Sequence, residues 1–235
     1  MESGSWLHIL RNIPNPALRK LKVTFRGSSL TYLRALGSSL LDGNIEQTLT
    51  SLVCCCMTKI PLTEAALRPF LSFGRLTKLE LLSPCTERGC SFQLNDSIIS
   101  ELAAALPGLT HLALGGDPCK ASTSGVTITS LVTLSTNCVD LELLRLRFDA
   151  NDIISRDTYA NPQTHKFTCK LRTLTVGSQP LSSNHDSILV VAFAIFHIFP
   201  HLEIISSANQ GWHRVERAVQ MFRKALRTIP PPTTS

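Results

Sequence analysis

One spacing of apolar residues returns down the whole chain: Leu-x-x-Leu-x-Leu, with conservative replacements. Its copies begin at Leu18 (LRKLKV), Leu49 (LTSLVC), Leu76 (LTKLEL), Leu109 (LTHLAL), Leu141 (LELLRL), Leu171 (LRTLTV) and, degraded, Leu202 (LEIISS). Successive starts lie 31, 27, 33, 32, 30 and 31 residues apart. Random clustering of leucine would not hold so narrow a period, and self-similarity of this length is the mark of a repeat architecture. Alternation within each copy predicts a short strand, whereas the stretches between copies have helical spacing. Ile98, Ile99, Leu102, Ala103 and Leu106 return every three or four residues, Asn95 or Asp96 supplies an N-cap, and Pro107-Gly108 stops the run. Similar helices are expected over 29–41, 62–72, 125–137, 186–199 and 211–228.

A strand-helix unit of about 30 residues cannot bury both of its elements alone, so neighbouring units must stack with strands side by side and helices outside. The expected fold is therefore an α/β leucine-rich-repeat solenoid of about seven repeats. Its parallel strands would line a concave face and its helices a convex one. A single domain is expected over 1–228, with 211–228 as its closing helix and 229–235 as a disordered tail. The fifth unit departs from the pattern: 149–168 has few apolar residues and carries Asn161-Pro162 as a breaker, so it is expected to be loop. Inserts over 83–93, 115–124 and 177–185 are rich in Ser, Gly, Pro and Asp. All four follow strands, so they would emerge at one edge of the sheet, where binding residues concentrate.

Period-two alternation sends the third, fifth and seventh positions of each copy to the concave side. The residues singled out there for partner binding are Lys78, Glu80 and Leu82; His111; Leu143, Arg145 and Arg147; and Thr173 and Thr175. The same rule places Lys20, Lys22, Val53 and Ile204 outward. Two readings of this surface are open, a solvated sheet face and a protein-docking surface; exposed Val53, Leu82, Leu143 and Ile204 favour the second. Seven strands at about 4.8 Å spacing span only about 29 Å, giving roughly 300 to 400 Å² of flat area. A specific interface takes about 800 Å² per partner, so edge loops would have to contribute.

Charge adds little to the fold but is unevenly placed. The net charge is +6, yet the first 26 residues hold five cations against Glu2, and residues from 211 onward hold five against Glu216. In the last helix Trp212, Val215, Val219, Phe222 and Leu226 form an apolar stripe, so it is expected to close the array with its cations outward. An anionic surface, nucleic acid or lipid, remains an alternative partner for such a helix.

Chemistry-bearing motifs are missing. The sequence holds no Gly-rich phosphate loop, Gly-x-Ser-x-Gly elbow, His-Glu-x-x-His helix or paired-carboxylate motif, so no catalysis is expected. Neighbours on a strand point to opposite faces, so Cys54, Cys55 and Cys56 cannot converge on one ion; reduced thiols, no metal and no cofactor are expected. The apolar run 188–199 is too short for a bilayer, and the first residues lack signal-peptide character, so an intracellular protein, cytoplasmic or nuclear, is expected.

The run GRLTKLELLSPCTERGCSFQLNDSIISELAAALPGLTHLALGG, the later TNCVDLELLRLRF and the closing FPHLEIISSANQGWHRVERAVQMF resemble the leucine-rich-repeat region of fungal F-box proteins. That resemblance spans about residues 18 to 222 and implies a non-catalytic recognition module that selects proteins for ubiquitination. The adaptor of a cullin-RING ligase would be a partner only through an F-box upstream of Met1, since no segment here resembles the F-box helices. A repeat scaffold with no ligase link is the alternative, and a nucleic-acid or lipid binder the lesser one.

Overall fold

Seven strands pair in chain order into one parallel sheet: β1 (Lys20–Phe25), β2 (Ser51–Cys56), β4 (Lys78–Leu82), β6 (His111–Leu114), β7 (Leu143–Arg145), β8 (Thr173–Thr175) and β9 (Ile204–Ser206). Two further strands, β3 (Leu62–Thr63) and β5 (Phe92–Gln93), form a separate parallel pair. The helices are α1 (Thr31–Asp42), α2 (Glu64–Leu67), α3 (Asp96–Ala105), α4 (Ile128–Asn137), α5 (His185–Ile198) and α6 (Gln210–Thr228), with 3-10 turns at Ile45–Gln47 and Arg68–Ser72. The computed structural model describes residues 18–26, 31–58, 62–84, 92–116, 125–151, 168–177, 181, 184–207 and 209–228. The expected tail over 229–235 and most of the expected loop over 149–168 lie outside the described residues. The fold is α/β, with parallel strands and intervening helices.

Every copy of the hydrophobic pattern lands in one register. Leu21, Leu52, Leu79, Leu112, Leu144, Leu174 and Ile205 are successive partners across the sheet. Leu52, Leu79, Leu112, Leu144 and Leu174 are fully buried, in one core with Leu36, Ile98, Leu102, Leu131 and Ile195 of the helices. Burying a leucine side chain stabilises by about 1.5 to 3 kcal/mol. A single chain of contacts thus carries the hydrophobic free energy from unit to unit.

The turn entering the strands also repeats. An apolar residue three positions before the leading leucine ends the helix or 3-10 turn: Phe73, Leu106, Cys138 and Phe199, all with φ between −126 and −91 and ψ between 58 and 76. Its carbonyl accepts the backbone N–H of Leu76, Leu109, Leu141 or Leu202 at 2.9 to 3.2 Å. The next position then joins two units. The carbonyl of Thr50 accepts from both Thr77 and Lys78, that of Thr77 from Thr110 and His111, and that of Thr110 from Glu142 and Leu143, all at 2.8 to 3.1 Å. Thr77 and Thr110 add their hydroxyls to the same carbonyls. These bonds satisfy backbone groups that would otherwise be stranded at the strand ends.

Helix starts follow the capping rule. Thr63, Asn95, Thr127 and Asn184 accept from the backbone N–H of Ala66, Ile98, Thr129 and Asp186. The helix expected over 62–72 is broken, into β3, the single turn of α2 and a 3-10 turn. Pro69 has no N–H to continue an α-helical ladder, so the backbone tightens there. The break also brings Pro69 against α1: a Cβ on Gly37 would lie 2.4 Å from the Pro69 Cβ. Glycine at 37 is what permits that approach.

The last strand, β9, is covered along its far edge by α6. Glu216, Gln220 and Arg223, at i, i+4 and i+7, bond the backbone of Ile205, Glu203 and Leu202. Trp212, Val215 and Val219 of α6 are buried, and Trp212 meets Phe148 edge-on at 5.5 Å between ring centroids. No described helix is long and apolar enough to cross a membrane.

Candidate functional site

Alternation in the sheet leaves one face buried under the helices and the other in contact with solvent. Two rows of side chains lie on the solvent side in register. The first runs Lys20, Ser51, Lys78, His111, Leu143, Thr173, Ile204; the second runs Lys22, Val53, Glu80, Ala113, Arg145, Thr175, Ser206. Lys20 and Lys22 are exposed, as is Ile204, at 51%. Lys78, Glu80, Leu82, His111, Leu143, Arg145, Thr173 and Thr175 are half-buried. These eight sequence-selected residues therefore share one face.

Arg147 is the exception. Expected to stand outward beside Arg145, it is buried, with 5% of its surface exposed. It lies beyond the end of β7, and its Cγ would be 3.5 Å from a Cβ built on Gly177. The strand ends at Arg145, so strict alternation no longer governs position 147, and the adjoining unit with its bare glycine covers the side chain. Ala113 keeps its place in the second row but is only 3% exposed, since a methyl group is overshadowed by longer neighbours.

Specific contacts shape the centre of the face. Lys78 Nζ pairs with Glu80 Oε1 at 2.9 Å along the same strand. His111 Nδ1 lies 2.9 Å from Thr110 Oγ1, which also bonds the Thr77 carbonyl at 2.9 Å. The hydroxyl hydrogen is committed to that carbonyl, so we assign the imidazole proton to Nδ1. The face thus combines an ammonium donor, a carboxylate, an imidazole and apolar surface from Leu82, Leu143 and Ile204. Such a mixture suits recognition of another chain's side chains and backbone.

The cysteines are divided by the strand alternation. Cys54 and Cys56 point into the core and Cys55 toward the solvent side. Burial raises the thiol pKa of Cys54, pushes that of Cys56 up to about 11 and that of Cys138 up to about 12. Such thiols stay protonated and are poor nucleophiles and poor metal ligands. Among the described residues no group of three or more His, Cys, Asp or Glu is arranged to hold a metal ion.

Two structural roles escaped the sequence pattern. Asp96, expected only as a helix start, accepts from the Thr127 backbone N–H at 2.8 Å and hydroxyl at 2.7 Å, and from the Ser130 hydroxyl. It thereby ties α3 to α4. Arg223, expected to stand outward, instead donates to the Leu202 carbonyl at 2.6 Å. The spacing of Glu216, Gln220 and Arg223 was the available signal, a polar stripe beside the apolar one. No protein-family model matches the chain, and no curated protein matches it in sequence.

Proposed function

We propose that the chain is a leucine-rich-repeat solenoid acting as a non-catalytic protein-recognition module, of the kind that selects substrates for an F-box-type ubiquitin ligase. The repeat reading is supported by the recurring turn, the single leucine register and the carbonyls that each accept two N–H groups from the next unit. The observation that carries recognition is the solvent-side face. Its two registered rows hold Lys78, Glu80, His111 and Arg145 among half-exposed or exposed Leu82, Leu143 and Ile204. These apolar side chains beside the charged ones supply the mixed contacts that recognition of a protein partner uses. The ligase assignment rests on the sequence resemblance alone.

The test is affinity purification of the tagged, intact gene product from its own cells, as wild type and as Glu80→Lys with Arg145→Glu. Recognition predicts a set of proteins captured by the wild type and lost from the variant at unchanged melting temperature. The ligase reading further predicts adaptor and cullin subunits in both purifications. Face-dependent capture without adaptor or cullin would overturn the ligase link, leaving a repeat scaffold. Identical capture by both proteins would overturn recognition through this face.

A further inference from the structure

We infer that the solvent-side face reads an extended protein segment laid across the strands, acidic at one end and apolar at the other. This deepens the recognition reading above and rests on it. The face is polarised from edge to edge, most plainly along its first row. Lys20 and Lys22 on β1 are exposed, and neither makes an ion pair with a described residue. The next cation in the row, Lys78, is already neutralised by Glu80. Beyond His111 the first row carries no charge, with Leu143 half-buried and Ile204 more than half exposed on β9, and the second row holds one cation there, half-buried Arg145.

Acidic side chains placed over β1 would complete charge pairs that the described residues leave open, and an apolar anchor over β7 to β9 would cover Leu143 and Ile204. Six gaps of about 4.8 Å put the two ends of the row about 29 Å apart. An extended chain advancing about 3.3 Å per residue crosses that distance in about nine residues. A segment running along one strand would meet only one end of the gradient. Nucleic acid fits less well, because a phosphate chain needs cations along its whole track. Here Glu80 and the uncharged half of the first row interrupt it, and Arg145 is the one cation of the second row beyond Lys22.

The experiment selects from a phage-displayed library of random twelve-residue peptides on the immobilised full chain. Enriched peptides are then synthesised with a fluorescent label and titrated by polarisation. The expected result is Asp or Glu near one end and Leu, Ile or Phe seven to nine positions away. Lys20→Glu with Lys22→Glu should weaken binding at least tenfold, as should Ile204→Asp. All three side chains are exposed, so thermal melting should stay unchanged and separate lost binding from lost folding. Peptides that are lost on Glu80→Lys but show no acidic-to-apolar order, or ignore Lys20 and Lys22, would overturn this inference and leave recognition standing. Enrichment insensitive to every one of these substitutions would overturn both. Displacement of the peptides by single-stranded oligonucleotide, with a steep salt dependence, would overturn the protein segment in favour of nucleic acid.

Discussion

The backbone N–H of Ile205, on the last strand of the sheet, donates to Glu216 Oε1 of the following helix at 3.1 Å. Gln220 and Arg223 continue the contact by donating to the Glu203 and Leu202 carbonyls, each at 2.6 Å. One helix side therefore supplies what another strand would have supplied. An uncovered strand edge is a template for pairing with a second chain, and natural sheets cover or charge such edges.

Glu216→Ala should accordingly cost about 1 to 3 kcal/mol, the penalty for stranding a partly buried N–H. Urea unfolding followed by circular dichroism measures it. Replacing Glu216, Gln220 and Arg223 together should also promote self-association, visible as concentration-dependent elution in size-exclusion chromatography. A triple variant as stable and monodisperse as the wild type would remove the capping role.

Leu112 is fully buried and stands in register between Leu79 and Leu144. Leu112→Ala should cost about 2 to 5 kcal/mol, as large-to-small core changes do. Each unit depends on its neighbours, so hydrogen exchange should accelerate in the strands on both sides. A loss under 1 kcal/mol would contradict the burial.

Asp96 bonds both the backbone and hydroxyl of Thr127 and the hydroxyl of Ser130. Asp96→Ala strands several donors at once and should cost about 1 to 3 kcal/mol. Asp96→Asn can keep an acceptor for Thr127 and should lose less. Equal losses would mean that the single acceptor kept by Asn cannot replace either bond of the carboxylate, against this expectation.

The buried thiols predict a pH dependence of fixed sign. Their folded pKa values lie above the ordinary 9.0, at about 11 for Cys56 and about 12 for Cys138, chiefly through burial. Between 9.0 and those values the folded chain binds more protons than the unfolded one, so the stability they contribute is present below pH 9.0 and lost as pH rises above it. Urea midpoints from pH 8 to 10.5 should fall, with a shallower fall in Cys138→Ala. In the native protein at pH 8, iodoacetamide should label half-buried Cys55 before Cys54, Cys138 or Cys169, as peptide mass mapping would show.

How much of this was legible in the sequence follows from the range of the forces involved. Apolar spacing alone placed the seven strands, their order of recurrence and the buried leucine ladder, because a period of two must set Leu52, Leu79 and Leu112 on the core side wherever a strand forms. The cap before the helix at Ile98, read as Asn95 or Asp96, is local too and falls on Asn95, whose side chain need only reach three residues along. Apolar spacing also grouped Lys78, Glu80, His111, Leu143 and Arg145 on one face, as the register shows. Tertiary structure decided the rest. Whether Arg147 met solvent depended on the strand ending at Arg145 and on a glycine one unit away, at position 177. The two-residue strands β3 and β5 were too short to show a period, and Asp96 found Thr127 and Ser130 across a gap of more than 30 residues. The cations of the last helix looked alike in sequence, yet Arg223 turned to the strand edge because only the packed fold left carbonyls there without partners.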